Sequence, residues 1–431
     1  MSNNNIVQSA STTTQSPRSR LLELPNEILQ EIACCLPSDR DVLHLSQSCK
    51  EMWAKVFEYE SAIWRDRFAK HYDLAPGKPS RDLMFEYQIR AIVLSAPIQF
   101  KEEEDDRQYL WMEVIQNMLE ESLKLPIALG ETSKTLQRIR ETLKGVDFLS
   151  EFQKERTSSQ LFYALQLCLT SFALDPAITE PCRRTDYDIR QVYSYEERVG
   201  EAFIDHDDLD LAKLLNLRNF WQRHFLNASE LTYQESFSGL PAELKPKIRK
   251  DNPTETSELS TSWLGYYSCM HPLSDLQMIN ERQTCADLET HGDSIDIMTL
   301  DLQPSSDQFW PEQCRKIIPL ASEPDTKRTY FDELMGGGYE AGNHVFGFTE
   351  EIAVPHGGFE GWARICFIIV EADEEESNEE EEEMPSSTVM DGEGWIHGYE
   401  AIVIPGGRLM LGRWVDMKEP EARGPFIFWD V

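Results

Sequence analysis

Four short strings in this chain hold residue types able to do covalent chemistry. Gly292-Asp293-Ser294 offers a serine hydroxyl for acyl transfer, a reaction that needs a histidine base held by an acid. Cys269 and His271, two positions apart, point to the same side of an extended strand, as a thiol and its base would. His356-Gly357-Gly358 presents backbone N–H groups suited to a developing oxyanion, and Met335 to Gly342, "MGGGYEAG", is glycine-rich enough to cradle a phosphate.

Each string lacks the partner its chemistry demands. The closing segment "GPFIFWDV" has Asp430 but no histidine beside it. No Gly-x-Ser-x-Gly elbow accompanies the His-Gly-Gly string, and no Lys-Ser/Thr follows the glycine run. No third group orients Cys269 and His271. Turns between strands explain the three glycine strings better than catalysis does. No catalytic residue is assigned, and a hydrolase with Ser294 or Cys269 as nucleophile stands as the alternative reading.

Metals and cofactors fare no better. The nine cysteines are scattered, odd in number and include the adjacent Cys34 and Cys35, so they form neither a disulfide framework nor a Cys-x-x-Cys pair. The nine histidines are dispersed, and no metal or cofactor is expected. Such cysteine usage fits a reducing compartment, the cytoplasm or the nucleus.

Aspartate and glutamate outnumber lysine and arginine by 76 to 41, a formal net charge of −35. That charge repels phosphate backbones and anionic lipid surfaces, so neither nucleic acid nor membrane is an expected partner. No stretch approaches the roughly 20 apolar residues of a membrane span.

The elements that must position any site change character along the chain. Residues 1–20 are polar, lack the apolar core of a signal peptide and read as a disordered tail. From residue 21 to about 230 the apolar spacing is helical, as in "RQYLWMEVIQNMLEESL" and "DLDLAKLLNLRNFWQRHFL". In the latter, Leu211, Leu214, Leu215, Trp221 and Phe225 fall near one face, which predicts a helix with one buried stripe.

Residues 231–261, rich in Pro, Ser, Thr and charge, read as an irregular connection. From 262 to 431, short β-branched and aromatic runs alternate with turn residues, which predicts an antiparallel barrel or sandwich. The expected fold class is therefore α+β. Ten carboxylates within residues 371–384 repel one another, so 371–388 reads as a solvated, disordered loop between two strands.

The stretch from Leu21 to Trp64 carries more apolar side chains than its own short helices can cover. Leu24, Ile28, Ile32 and Leu36 recur every fourth residue and Leu29 widens the stripe. Pro25 suits a first helical turn, and Ser38 or Asp39 can cap a second helix bearing Val42, Leu43 and Leu45. A third stripe holds Cys49, Trp53, Val56 and Phe57. A unit of roughly 45 residues buries too small a fraction of its surface to seal such stripes alone. Either later parts of this chain or another protein must cover them.

This segment resembles an F-box. Leu24-Pro25-Asn26-Glu27, Leu36-Pro37, Asp41-Val42-Leu43 with Leu45, Cys49-Lys50-Glu51-Met52-Trp53 and Trp64 stand at the places of that family's pattern. It departs from the pattern in a "PSDRD" turn one residue longer than usual and in Ser48, where a small apolar residue is common. The resemblance implies a three-helix F-box over 21–68 that inserts into a Skp-type adaptor and so reaches a cullin scaffold indirectly. It implies that Leu24, Pro25, Ile28, Leu29, Ile32, Leu36, Leu43 and Leu45 face the adaptor, with Trp53 and Trp64 holding the bundle together. A helical linker domain, 69–230, would then set distance and orientation.

The ending "PGGRLMLGRW…GPFIFW", with "VPHGGFEGWARICFIIVE", resembles the β-rich domain of a group of fungal F-box substrate receptors. By that resemblance residues 262–431 bind the degron of a protein substrate. Tyr266, Tyr267, Arg282, Trp362, Arg364, Arg413 and Trp414 combine an apolar or planar body with a polar tip and are the candidate substrate contacts. The implied function is the non-catalytic substrate-recognition subunit of a ubiquitin ligase. A cullin-independent scaffold bound to the same adaptor is a further alternative.

Overall fold

The chain folds as two units. The computed structural model describes residues 20–58, 61–100, 105–125, 132–149, 158–178, 187–193, 203–205, 208–227, 231–248, 262–268, 297–306, 308–320, 328–334, 343–370, 395–420 and 422–431. One compact unit extends to Ser95, and a second runs from Ala96 to Val431. The first thus reaches well past residue 68.

The first unit is built from α1 (Asn26–Cys34), α2 (Asp39–Gln47), α3 (Lys50–Val56), α4 (Ala62–His71) and α5 (Ser80–Ser95). Pro25 sits just outside α1 as its N-cap, where its missing N–H costs nothing. The Ser38 hydroxyl accepts from the Asp41 N–H and starts α2, and the Cys49 sulfur accepts from the Met52 N–H and starts α3. The long "PSDRD" turn is fixed from a distance. Buried Arg67 on α4 donates to Asp39 Oδ1 at 2.7 Å and to the Leu36 carbonyl at 2.9 Å. Tyr87 on α5 donates to the same carboxylate. That shared anchor and the Trp64–Tyr87 ring contact explain why α4 and α5 complete a bundle larger than three helices.

The second unit begins with α6 (Asp106–Lys124), α7 (Lys134–Leu143), α8 (Gln160–Cys168), α9 (Thr170–Ala173), α10 (Ile189–Tyr193), α11 (Leu211–Leu226) and α12 (Leu231–Gly239). A two-residue hairpin, β1 (Ile204–Asp205) and β2 (Asp208–Leu209), precedes α11. Contrary to the one-stripe expectation, α11 is buried nearly all round. Its polar side finds partners in its neighbours. Arg218 donates to the Leu149 carbonyl at 2.9 Å and to the Gln222 and Gln166 side-chain oxygens, and Gln222 donates to the Ala173 carbonyl at 3.1 Å. Burial pushes the Arg218 guanidinium down to about 9, so it stays charged at neutral pH.

The expected irregular connection contains α12. Tyr233 and Phe237, four residues apart, are both buried, and that spacing outweighs the Ser and Thr around them.

The sheet follows, with β3 (Ser262–Tyr267), β4 (Met298–Asp301), β5 (Pro304–Ser305), β6 (Arg328–Leu334), β7 (His344–Glu351), β8 (Ala363–Val370), β9 (Ile396–Val403), β10 (Leu409–Asp416) and β11 (Arg423–Asp430). The nine strands run β4-β3-β11-β10-β9-β8-β7-β6-β5, with antiparallel pairing throughout. Its two edge strands, β4 and β5, are separated in the chain only by Leu302 and Gln303. Three Cα steps span at most about 11 Å, whereas a flat sheet of this width holds its edges roughly 38 Å apart. The sheet therefore curls into a half-barrel, one sheet rather than two stacked ones.

Strand alternation sorts its side chains. The inner face packs Trp263, Leu300, Ile365, Phe367, Tyr399 and Phe426. Outside, α11 and α12 cover β3 and β11, where Phe225 stacks on Phe237 at 4.3 Å and Trp429 donates to the Leu244 carbonyl at 2.7 Å. A short helix α13 (Glu312–Ile317), with Trp310, covers the outer side of β7 to β9. The helices after Ser95 and the strands are thus one unit, not a spacer followed by a separate domain.

Candidate functional site

On the first unit, α1 divides its apolar residues between two faces. Leu29 and Ala33 point into the unit's own core, Leu29 being only 4% exposed. Ile28 and Ile32, also four residues apart, lie outside at 48% and 37% exposure. Leu43 on α2 is 41% exposed, Pro25 is exposed, and Leu24, Leu36 and Leu45 are half-buried. Of the eight residues assigned to an adaptor by resemblance, Leu29 alone is buried. Trp64 holds the bundle as expected of it, its indole N–H donating to the Val56 carbonyl at 2.9 Å. Trp53 does not. It lies half in solvent, resting on Phe57 at 4.3 Å between centroids.

Six of the seven candidate substrate contacts are described, and they separate into four places. Tyr266 is buried on the outer face of β3 among Phe225, Trp429 and the Ser236 hydroxyl, and so serves the join between sheet and helices. Trp362 is buried in the β7–β8 connection, its indole N–H donating to the Phe359 carbonyl at 3.0 Å. Arg282 lies outside the described residues, as do Cys269, His271, Ser294, the 335–342 glycine run and the 371–388 acidic segment.

Arg364 and Arg413 share the outer face with two glutamates. Cross-strand pairing sets Glu350 opposite Arg364 and Glu400 opposite Arg413. Arg364 is buried and bridges both acids, with Nη1 3.1 Å from Glu350 and Nη2 2.6 Å from Glu400. Arg328 grips the other side of Glu350. Burial disfavours the Arg364 charge, but the two flanking carboxylates outweigh it and hold its proton more firmly than usual. Beside the row, a small pocket is lined by Glu400, Arg413, Arg423, Gly398 and Ile318. Arg413 also rests over the Phe203 ring at 5.2 Å. Burial drives the neighbouring Cys366 thiol far up, which removes it as a nucleophile.

Tyr267 and Trp414 meet on the inner face, at the end of the sheet where β3, β8 and β10 finish. They are joined there by Trp395 and His397, which sequence reasoning missed. His397 stacks on Trp395 at 4.5 Å and approaches Trp414 at 4.9 Å, and Tyr267 meets Trp414 edge-on at 5.7 Å. Asp416 completes the group, with its Oδ2 3.9 Å from His397 Nε2. The signal was there: Trp395-Ile396-His397 and Trp414-Val415-Asp416 each place two such side chains on one strand face by period-2 alternation.

The His-Gly-Gly string is a turn. His356 and Phe359 form an isolated bridge around Gly357 and Gly358, both at positive φ, and the Gly358 carbonyl accepts from Gln116. His356 is buried, its Nε2 has no hydrogen-bond partner among the described residues, and burial lowers its pKa. Among the described residues, no cluster of three or more His, Cys, Asp or Glu side chains could hold a metal, and no helix is long and apolar enough to cross a membrane. Comparison with protein-family models, curated proteins and solved structures found no match for this chain.

Proposed function

We propose that this chain is the substrate-receptor subunit of a Skp–cullin–F-box ubiquitin ligase, acting in the cytoplasm or nucleus and catalysing nothing itself. The observation that carries the reading is the set of large apolar side chains left in solvent on α1, α2 and α3: Ile28, Ile32, Leu43 and Trp53. These helices are the ones whose sequence resembles an F-box. Exposed apolar side chains rimmed by charge are what a partner's helices cover, and a few such anchors dominate an interface.

Leu24, Pro25, Leu36 and Leu45 extend the proposed contact, while Leu29 supports it from the core. The β-rich unit holds the protein target. Tethering then raises the local concentration of a target lysine beside the conjugating enzyme's thioester, and proximity is the whole of the chain's contribution.

Affinity purification from cells tests the proposal. The double change Leu24→Ala with Pro25→Ala, and separately Ile28→Asp, should remove both adaptor and cullin from the purified material. Undiminished recovery of the adaptor with either variant refutes it. Adaptor binding without ubiquitin transfer in a reconstituted reaction would replace the ligase with a cullin-independent scaffold.

A further inference from the structure

We propose that the aromatic end of the curled sheet is a binding site for one cationic side chain, with Tyr267, Trp395, His397 and Trp414 as its wall and Asp416 as its counter-charge. That the cation belongs to a protein target rests on the receptor reading above. The chemistry of the site does not.

The wall is rigid where it must be. The Trp414 indole N–H donates to the Ser268 carbonyl at 2.9 Å, so its ring crosses the β11 strand to reach β3. It passes over Gly424, where a Cβ would stand 1.7 Å from the Ser268 carbonyl oxygen. The rim is accessible. Tyr267 and Trp395 are partly exposed, and the His397 and Asp416 side chains are 24% and 20% exposed.

Asp416 is held in place by its other oxygen. Oδ1 accepts from the Lys418 and Glu419 backbone N–H groups at 2.7 and 3.0 Å, while Oδ2 is too far from His397 Nε2 for a hydrogen bond. A fixed carboxylate beside electron-rich ring faces selects for positive charge, because the ring quadrupole and the anion attract it together. A neutral ligand gains only the apolar contact. An anion is repelled by Asp416 and by the net charge of −35, which also steers basic partners inward. Tyr399 and Ile369 fill the inner face below, so the site accepts a side chain and not a buried ligand.

The test uses the full chain labelled with 5-fluorotryptophan, its resonances assigned with Trp395→Phe and Trp414→Phe. The probes are tetramethylammonium and its neutral near-isostere tert-butanol. Tetramethylammonium should shift the Trp395 and Trp414 signals saturably, and Asp416→Asn, which keeps the turn's acceptor, should weaken it about tenfold. Trp395→Leu should abolish the Trp414 shift with an unchanged circular dichroism spectrum. Equal responses to both probes, no shift at either tryptophan, or full affinity in Asp416→Asn each overturns the proposal. Adaptor recovery is read separately, so loss of the receptor reading leaves this result standing, and the reverse.

Discussion

Two regions of the molecule depart from the usual sorting of side chains in different directions. The face of α1 to α3 leaves Ile28, Ile32, Leu43 and Trp53 outside, while the outer row of the sheet and α11 take Arg364, Glu350, Glu400 and Arg218 inside. An exposed aliphatic stripe weakens nothing in the isolated fold but wastes burial that a second protein can recover. A buried ion row stabilises little, since desolvation offsets its attraction, yet it penalises every pairing of strands that leaves one member alone. The contrast separates surface kept for a partner from charge kept for register.

The largest effect should come from breaking the row. Arg364→Ala leaves two buried carboxylates, and urea unfolding should show a loss of about 4 kcal/mol. Replacing Glu350, Arg364 and Glu400 together by Leu, Met and Leu should cost less than that single change. If the triple variant is the less stable of the two, the row contributes net stability and the contrast fails. Next in size is Gly424→Ala, which forces Trp414 off the Ser268 carbonyl and should cost about 3 kcal/mol, with a red-shifted tryptophan emission.

Within the smaller unit, two neighbouring residues of α1 sharpen the same comparison. Leu29→Ala should lower stability by about 2 to 3 kcal/mol, whereas Ile28→Ala should stay within about 0.5 kcal/mol. Adaptor recovery should rank them the other way for Ile28→Asp, which touches no core. An Ile28 variant as unstable as Leu29→Ala would mean that the face is already covered.

The sequence discloses these features unevenly. Helical and strand periods mark the change from α to β near residue 262, because burial on one face imposes a period on the chain. They fail on α11, where Arg218, Gln222 and Asn216 look like a wet face but are paired inside by α8, α9, α10 and the Leu149 turn. They fail on Arg364 for the same reason, since a strand pattern cannot show that Glu350 and Glu400 flank it from the strands on either side. The rim of the half-barrel was half legible. Tyr267 and Trp414 stood out by type and alternation ties Asp416 to Trp414, but joining them to one another and to Trp395 needs the order of β3, β11, β10 and β9, which no local pattern contains.

The smallest expected effect concerns a residue that belongs to neither pattern. His356 is a polar side chain buried without a partner for Nε2 among the described residues, and burial depresses its pKa below the ordinary value of 6.5, against a weaker opposing pull from Asp208. The unfolded chain therefore takes up the proton first as pH falls. Stability is full above about pH 6.5 and is lost as pH drops through and below that point. Urea midpoints measured at pH 7.5 and pH 5.5 should fall between the two, and His356→Asn should flatten that slope by removing the titrating ring. An unaltered slope in the variant would show that His356 does not carry the acid sensitivity.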